Sequence, residues 1–308
     1  MGTASVDTTD FDALYDSVRR HARWAPDDRR GALNHLTPNE VLAAVREVHL
    51  GRSVSLASPI ATEASADNPE PSVHTMRETG IDIPETGLHF ALDRIAMNIH
   101  GNADSHLDAL CHVIYRGELY NSVPASAVGP HGAITLSADV VRDGIVGRGV
   151  LLDIPRLRGV SWLEPGDEVT TEDLAAAELA QGVRVGTGDL LFVRVGHRKR
   201  RNERGPWDAA RERAGLSPAA ALFLAERKVS VLGCDSNNDV APSRTPGVEF
   251  PVHVLAVQAL GIHLLDYLQF EELVPACEQA GRWSFLCVVA PLRVPSATGS
   301  PVNPTAIL

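Results

Sequence analysis

The chain has 308 residues, 44% of them hydrophobic and 22% charged, with a formal net charge of −11. This length allows one large domain or two modest ones with a substantial core. The acidic balance argues against a nucleic-acid surface and suits a soluble protein of the cytoplasm.

No apolar run approaches the length of a membrane span. Residues 1–10 are polar and lack the basic and apolar regions of a signal peptide. The four cysteines (Cys111, Cys234, Cys277, Cys287) are scattered in apolar surroundings without a CxxC, which predicts buried, reduced thiols. No internal repeat is present, and residues 1–308 read as a single domain with a helical segment at about 10–50.

Taken in order, residues 11–23 place Phe11, Leu14, Tyr15 and Val18 at helical spacing, and the run 24–28 breaks the pattern. Thr37-Pro38-Asn39-Glu40 reads as a capping box with Pro at the first helical position, opening a helix to about Val48 that Gly51 ends. Residues 53–57 look like a short strand. From 59 to 87 the pattern dissolves into Pro, Asn, Glu, Ser and Gly, and a segment that long and irregular is usually functional. It holds His74, a candidate substrate contact on a loop over a pocket. Strand character returns at 88–99 and again, briefly, at 113–121.

Strands are then predicted at 149–154, 188–195 and 229–235. Helices alternate with them, one at 171–182 and one opened by Ser217-Pro218 with Ser as cap. Such alternation predicts an α/β body with parallel pairing. The basic run 198–204 reads as a solvated loop. Asp235 falls at the carboxyl end of a strand, where ligands gather in open α/β sheets. It either orients a ligand or caps the turn. Pro251-Val252-His253 opens a helix that runs to Leu260 and stops at Gly261. A strand at 262–268 then places Asp266 on one face with Ile262, Leu264 and Leu268. A carboxylate there costs several kcal/mol unless it is paired or bound to a cation. His253, near a helix start, is expected to stay unprotonated, as a ligand or neutral base. Residues 282–291 close with a buried strand, and 296–304 form a polar loop.

The densest chemistry lies at 99–112, where three of the twelve histidines (His100, His106, His112) stand with Asp104 and Asp108. His106 and Asp108 share a face if the segment is extended. Asp108 and His112 share one if a helix starts near Asp108. Imidazole with carboxylate is the donor set of a borderline divalent metal.

These blocks resemble the "putative cyclase" family of metal-dependent hydrolases, which includes bacterial kynurenine formamidases and isatin hydrolases. His106-Leu107-Asp108-Ala109-Leu110-Cys111-His112 matches the family's HxDAxxH core. Val252-His253, 261–266, Pro291-Leu292 and 298–302 add to the likeness, which runs from about Trp24 onward. The resemblance implies a swivelling β/β/α-type fold with a mixed sheet and flanking helices, a homodimer or homotetramer, and a zinc or manganese centre. It implies His106 and Asp108 as ligands, His112 as general base or proton shuttle, and His253 and Asp266 at a second metal position. The family's histidine four residues before His106 is replaced by Asn102, and its glycine two before by Asp104. His100 lies two residues earlier as a further candidate ligand, and Asn102 becomes a candidate substrate contact. Asp266 stands where the formamidases have Glu.

The expected activity is hydrolysis of a small amide, cyclic amide or lactone by metal-activated water. A cyclase or lyase reaction at the same centre, or an inactive ligand-binding homologue, are the alternatives.

Overall fold

The computed structural model describes residues 8–22, 24–81 and 87–308. Residues 1–7, Arg23 and 82–86 lie outside the described part, and with them most of the polar start, the expected end of the first helix and part of the irregular 59–87 segment.

A nine-stranded mixed sheet organises the chain. Its strands run Ser53–Ser55, Thr305–Ile307, Ser284–Val289, Ile145–Asp153, Leu190–Arg194, Val231–Cys234, His263–Asp266, His106–Asp108 and Gly299–Pro301 from edge to edge. The four strands from Ile145–Asp153 to His263–Asp266 are parallel to one another, and the outer pairings are antiparallel. The central parallel strands Leu190–Arg194 and Val231–Cys234 are continuous apolar runs because helices and loops bury both their faces. Alternate residues feed two cores. Leu152, Leu191, Val193, Leu232 and Leu264 face one, while Leu151, Leu190, Phe192, Val231 and Leu265 face the other.

The expected α/β body is therefore present, with several local differences. The first helix spans Thr8–Arg19 and buries Phe11, Tyr15 and Val18. The Thr37/Glu40 capping box forms as the spacing requires, and opens the helix Pro38–Val45. The helix expected at Ser217-Pro218 instead begins at Ala220. Ser217 offers its carbonyl, not its hydroxyl, to the Ala220 N–H at 3.0 Å. No helix starts at Asp108. A turn closed by His112 N–H to Ala109 O at 2.9 Å brings the chain back instead.

The strand Leu92–Ala96 does not join the main sheet. It pairs with Val73–Glu78 as a separate two-stranded unit in which every strand residue is exposed. With neither face buried, the first strand shows no period-two pattern in the sequence. The basic run 198–204 is the helix His197–Arg204, partly buried, and not a solvated loop.

Residues 251–260 form one helical segment, α-helical at Pro251–His253 and π-helical over Val254–Leu260. Gly261 ends it at φ +70° against Gly31. A Cβ on Gly31 would lie 2.2 Å from the Gly261 carbonyl oxygen, so that contact admits only glycine. Among the described residues no helix is long and apolar enough to cross a membrane.

Candidate metal centre

The strand ladder sets His106 opposite Asp266 and Asp108 opposite Leu264. Because Leu107 and Leu265 face one core, His106, Asp108 and Asp266 all face the other side. The strand ends at Asp266. Tyr267 takes φ +53°, which turns the chain and sends Leu268 to the opposite core, not to the face expected of it. The turn after Asp108 and the start of the 251–260 helix then carry His112 and His253 to the same place. Together they line a cleft of about 440 Å³.

Asp108 is the hub. Its Oδ1 meets His100 Nδ1 at 2.8 Å and lies 3.7 Å from His106 Nε2, and its Oδ2 lies 3.4 Å from His253 Nε2. Burial opposes its ionisation, but the imidazoles of His112, His100, His253 and His106 hold its carboxyl well below the usual range. Two groups share it. In one, His100, Asp108 and His112 have ligand atoms within 4.8 Å of one another, and in the other His106, Asp108 and Asp266 do. The rings of His100 and His112 are stacked at 3.7 Å. An imidazole from two residues earlier thus reaches the hub that the family's histidine, here Asn102, cannot.

The surrounding groups fix these side chains. His106 Nδ1 donates to the Asp104 carbonyl at 2.9 Å, which leaves Nε2 as the lone-pair nitrogen toward Asp108. Asp239 meets His253 Nδ1 at 2.6 Å and also accepts the Val252 and His253 backbone N–H groups. Asp266 accepts from Asn237 at 2.7 Å and Asn238 at 2.5 Å, which meets part of the cost of burying it. Burial works against a charged His253. The adjoining carboxylates of Asp108, Asp239 and Asp266 outweigh burial and push the ring well above its ordinary value. His112 goes the other way: burial pushes it down to about 4 despite the pull of Asp108.

The arrangement fits a divalent cation. Asp108 Oδ2 is buried without a hydrogen-bond donor, and imidazole nitrogens and carboxylate oxygens converge on it. His106, Asp108, Asp266, His253 and His100 are the residues that could hold the ion.

The other candidates are placed less uniformly. Asn102 lines the cleft and accepts from the Tyr267 hydroxyl at 2.9 Å. Asp235 is not among the lining residues. Its two oxygens accept the Val195 and Gly196 N–H groups at 2.7 and 2.9 Å, which ties it to the end of the neighbouring strand. His74 is on the exposed hairpin, paired with Asp93 at 2.9 Å, and does not line the cleft. Asp104, in the family's glycine position, anchors the 61–72 loop through Ala61 N–H and Ser72 Oγ. Sequence reasoning passed over Asn237, Asn238 and Asp239, although the polar run 235–239 after a buried strand was the signal that could have found them.

A mixed-sheet α/β fold thus carries a buried His/Asp cluster, able to hold a metal ion, across its strand ends. Residues 34–238 match the family model described as "Putative cyclase", and the chain belongs to that family. A solved structure described as a novel cyclase is 31% identical, with a TM-score of 0.85 over 96% of this chain and 99% of that one. Isatin hydrolase A from Labrenzia aggregata, bound to benzyl benzoate, is 22% identical with a TM-score of 0.60, covering 87% of this chain and 97% of that one. Isatin hydrolase A from Ralstonia solanacearum is 21% identical with a TM-score of 0.56, covering 88% and 97%. Both share the fold. Among curated proteins none matches the chain.

Proposed function

We propose that this protein is a metal-dependent hydrolase of a small amide, cyclic amide or lactone, using zinc or manganese. The observation that carries the reading is the unpartnered, buried Asp108 Oδ2 among four imidazoles and a second carboxylate. A bound divalent ion would supply Lewis acidity to a substrate carbonyl and lower the pKa of a water toward about 7.

The chain's own residues do the rest. His106, Asp108 and Asp266 hold the ion, with His253 and His100 beside them. His112 is neutral at physiological pH because it is buried, so it can accept a proton from water and return it to the leaving nitrogen or oxygen. The Asn102 carbonyl oxygen is occupied by Tyr267, which leaves its NH2 as the group that donates to a substrate carbonyl. Val113, Ile114, Val248, Phe250 and Val254 form the apolar wall that receives the substrate's body. The isatin hydrolase folds support a cyclic amide as one substrate class to try first.

A homodimeric or homotetrameric state in the cytoplasm completes the proposal. The exposed Val73, Met76, Leu92 and Ile95 of the hairpin support the oligomer.

The test is metal content per chain by elemental mass spectrometry, followed by turnover of a cyclic amide in 18O-labelled water. One or two equivalents of metal and solvent oxygen in the product are expected. Turnover without label would favour the cyclase or lyase reaction, and absence of metal uptake would overturn the reading.

A further inference from the structure

The basic run 198–204 contains a group that the proposed chemistry does not use. Arg198 is 5% exposed, on the helix His197–Arg204. Its neighbours Arg200 and Arg201 pair with Glu164 and Asp67. Arg198 has no carboxylate partner among the described residues. Its guanidinium donates only to backbone carbonyls, through Nη2 to Ala103 and to Tyr267 at 2.8 Å, and through Nε to Leu268 at 3.4 Å.

The positions of those carbonyls give the arrangement its meaning. Ala103 lies between His100 and His106, on the segment that brings in the first half of the centre. Tyr267 and Leu268 directly follow Asp266, on the segment that brings in the second half. The ladder joining the two segments ends at the His106–Asp266 pair. Beyond it the segments are joined by Ser105 Oγ to the Tyr267 carbonyl at 2.6 Å, by Tyr267 Oη to Asn102 at 2.9 Å, and by Arg198, the one charged group of the three. Tyr267 meanwhile holds a left-handed backbone, so the turn after Asp266 needs an external tie to keep its direction. Burying an unpaired cation is costly, and a neutral apolar side chain would fill the same space more cheaply. A group with several N–H donors meets carbonyls of both segments at once: Nη2 reaches Ala103 and Tyr267, and Nε adds Leu268.

We propose that Arg198 is a positioning residue that sets the separation of the two ligand-bearing segments and so shapes the metal centre without touching it. The geometry rests on the hydrogen bonds alone, and its consequence for metal rests on the metal-centre reading above.

The experiment compares Arg198→Met with Arg194→Met in the full chain. Arg194 is also a buried arginine, but it pairs with Asp153 and Glu271 and touches neither segment. Hydrogen exchange followed by mass spectrometry reads residues 99–108 and 262–270, and competition against a chromophoric chelator reads zinc and manganese affinity. In Arg198→Met both segments should exchange at least about tenfold faster and metal should bind at least about tenfold more weakly. Arg194→Met should lower the melting temperature but leave both readouts at the wild-type level. A folded Arg198→Met protein with wild-type exchange in both segments overturns the proposal.

If Arg198→Met does not fold, Arg198→Lys carries the test. A lysine ammonium lacks the Nε donor to Leu268 and the reach of Nη2, so the same shifts in smaller measure are expected, and none would overturn it. If the wild-type chain takes up neither metal, the metal-centre reading falls and the exchange measurement alone decides the positioning role.

Discussion

His253 Nε2 lies 3.4 Å from Asp108 Oδ2, the only buried carboxylate oxygen among the described residues that has no hydrogen-bond donor. One group comes from the start of a helical segment and the other from the strand beside the sheet's edge strand, so the fold has to bring both elements together before they meet. That dependence shapes what substitutions should do.

Asp108→Ala removes the hub shared by both ligand groups. The variant should fold, because replacing a buried carboxylate by a methyl group also removes its desolvation cost. Metal per chain should fall from stoichiometric to near zero, and turnover by at least about a hundredfold. Elemental mass spectrometry of wild type and variant side by side checks this. Full metal content in the variant would remove Asp108 from the centre.

His112→Gln separates holding metal from moving protons. Metal content should stay at the wild-type level while turnover drops by about 10²–10⁴-fold, the usual contribution of general acid–base catalysis. Loss of metal together with activity would make His112 a ligand instead.

Asp239→Asn tests the group that orients His253. An amide can still accept one backbone N–H at the helix start, so stability should fall by only about 1 kcal/mol. Metal affinity should weaken by about 10–100-fold, because the amide no longer fixes which His253 nitrogen carries the proton. Unchanged affinity in a chelator competition would confine Asp239 to a capping role.

His263 gives a pH-dependent signature away from the ligands. It is fully buried in the strand His263–Asp266, both ring nitrogens lack partners, and burial pushes its pKa down to about 4. The unfolded chain takes up a proton near pH 6.5 that the folded chain refuses until about pH 4. The folded state therefore keeps its full advantage above 6.5 and loses it as pH falls toward 4. In His263→Leu this loss should shrink by up to about 3 kcal/mol between those values. Urea unfolding of both proteins at pH 7 and pH 4.5 measures it, and parallel losses in the two would refute the assignment.

The hairpin of Val73–Glu78 and Leu92–Ala96 has no buried residue in either strand, and an isolated two-stranded hairpin is marginal in water. Wild-type chain should run as a dimer or tetramer in light scattering coupled to size exclusion. The pair Met76→Lys with Ile95→Lys should shift it toward monomer at micromolar concentration. A wild-type monomer would leave these apolar side chains without the role proposed for them.

How far the sequence disclosed this protein follows from which signals are local. The HxDxxxH run identified the hub because its spacing reads directly once a strand is assumed. Asp266 was legible as a carboxylate on an apolar face, and His253 as a histidine opening a helix. The contribution of Asp239 was not, since capping and ligand-orienting look alike in sequence, and Asp235 was the more conspicuous member of the same run. The three carboxylates around His253 come from positions that no local pattern connects to it. Arg198 was hidden inside a run of basic residues, most of which do reach ion-pair partners near the surface. The first strand of the hairpin escaped because a strand exposed on both faces leaves no alternation to read, while its partner falls inside the 88–99 strand reading.

The contact between Gly31 and Gly261 bears on where this protein can be cut. The family match starts at residue 34, so a shortened chain drawn to that boundary would discard Gly31 and Ala32. The Ala32 N–H is the donor to the Gly261 carbonyl at 2.8 Å, and the Ala32 carbonyl accepts from Ser230 Oγ at 3.1 Å. Trimming there would uncap the helical segment 251–260 that carries His253 and loosen its hold on the sheet. Gly31 and Ala32 thus act as a keystone, and a truncated protein that had lost its metal would report this missing contact, not a missing ligand.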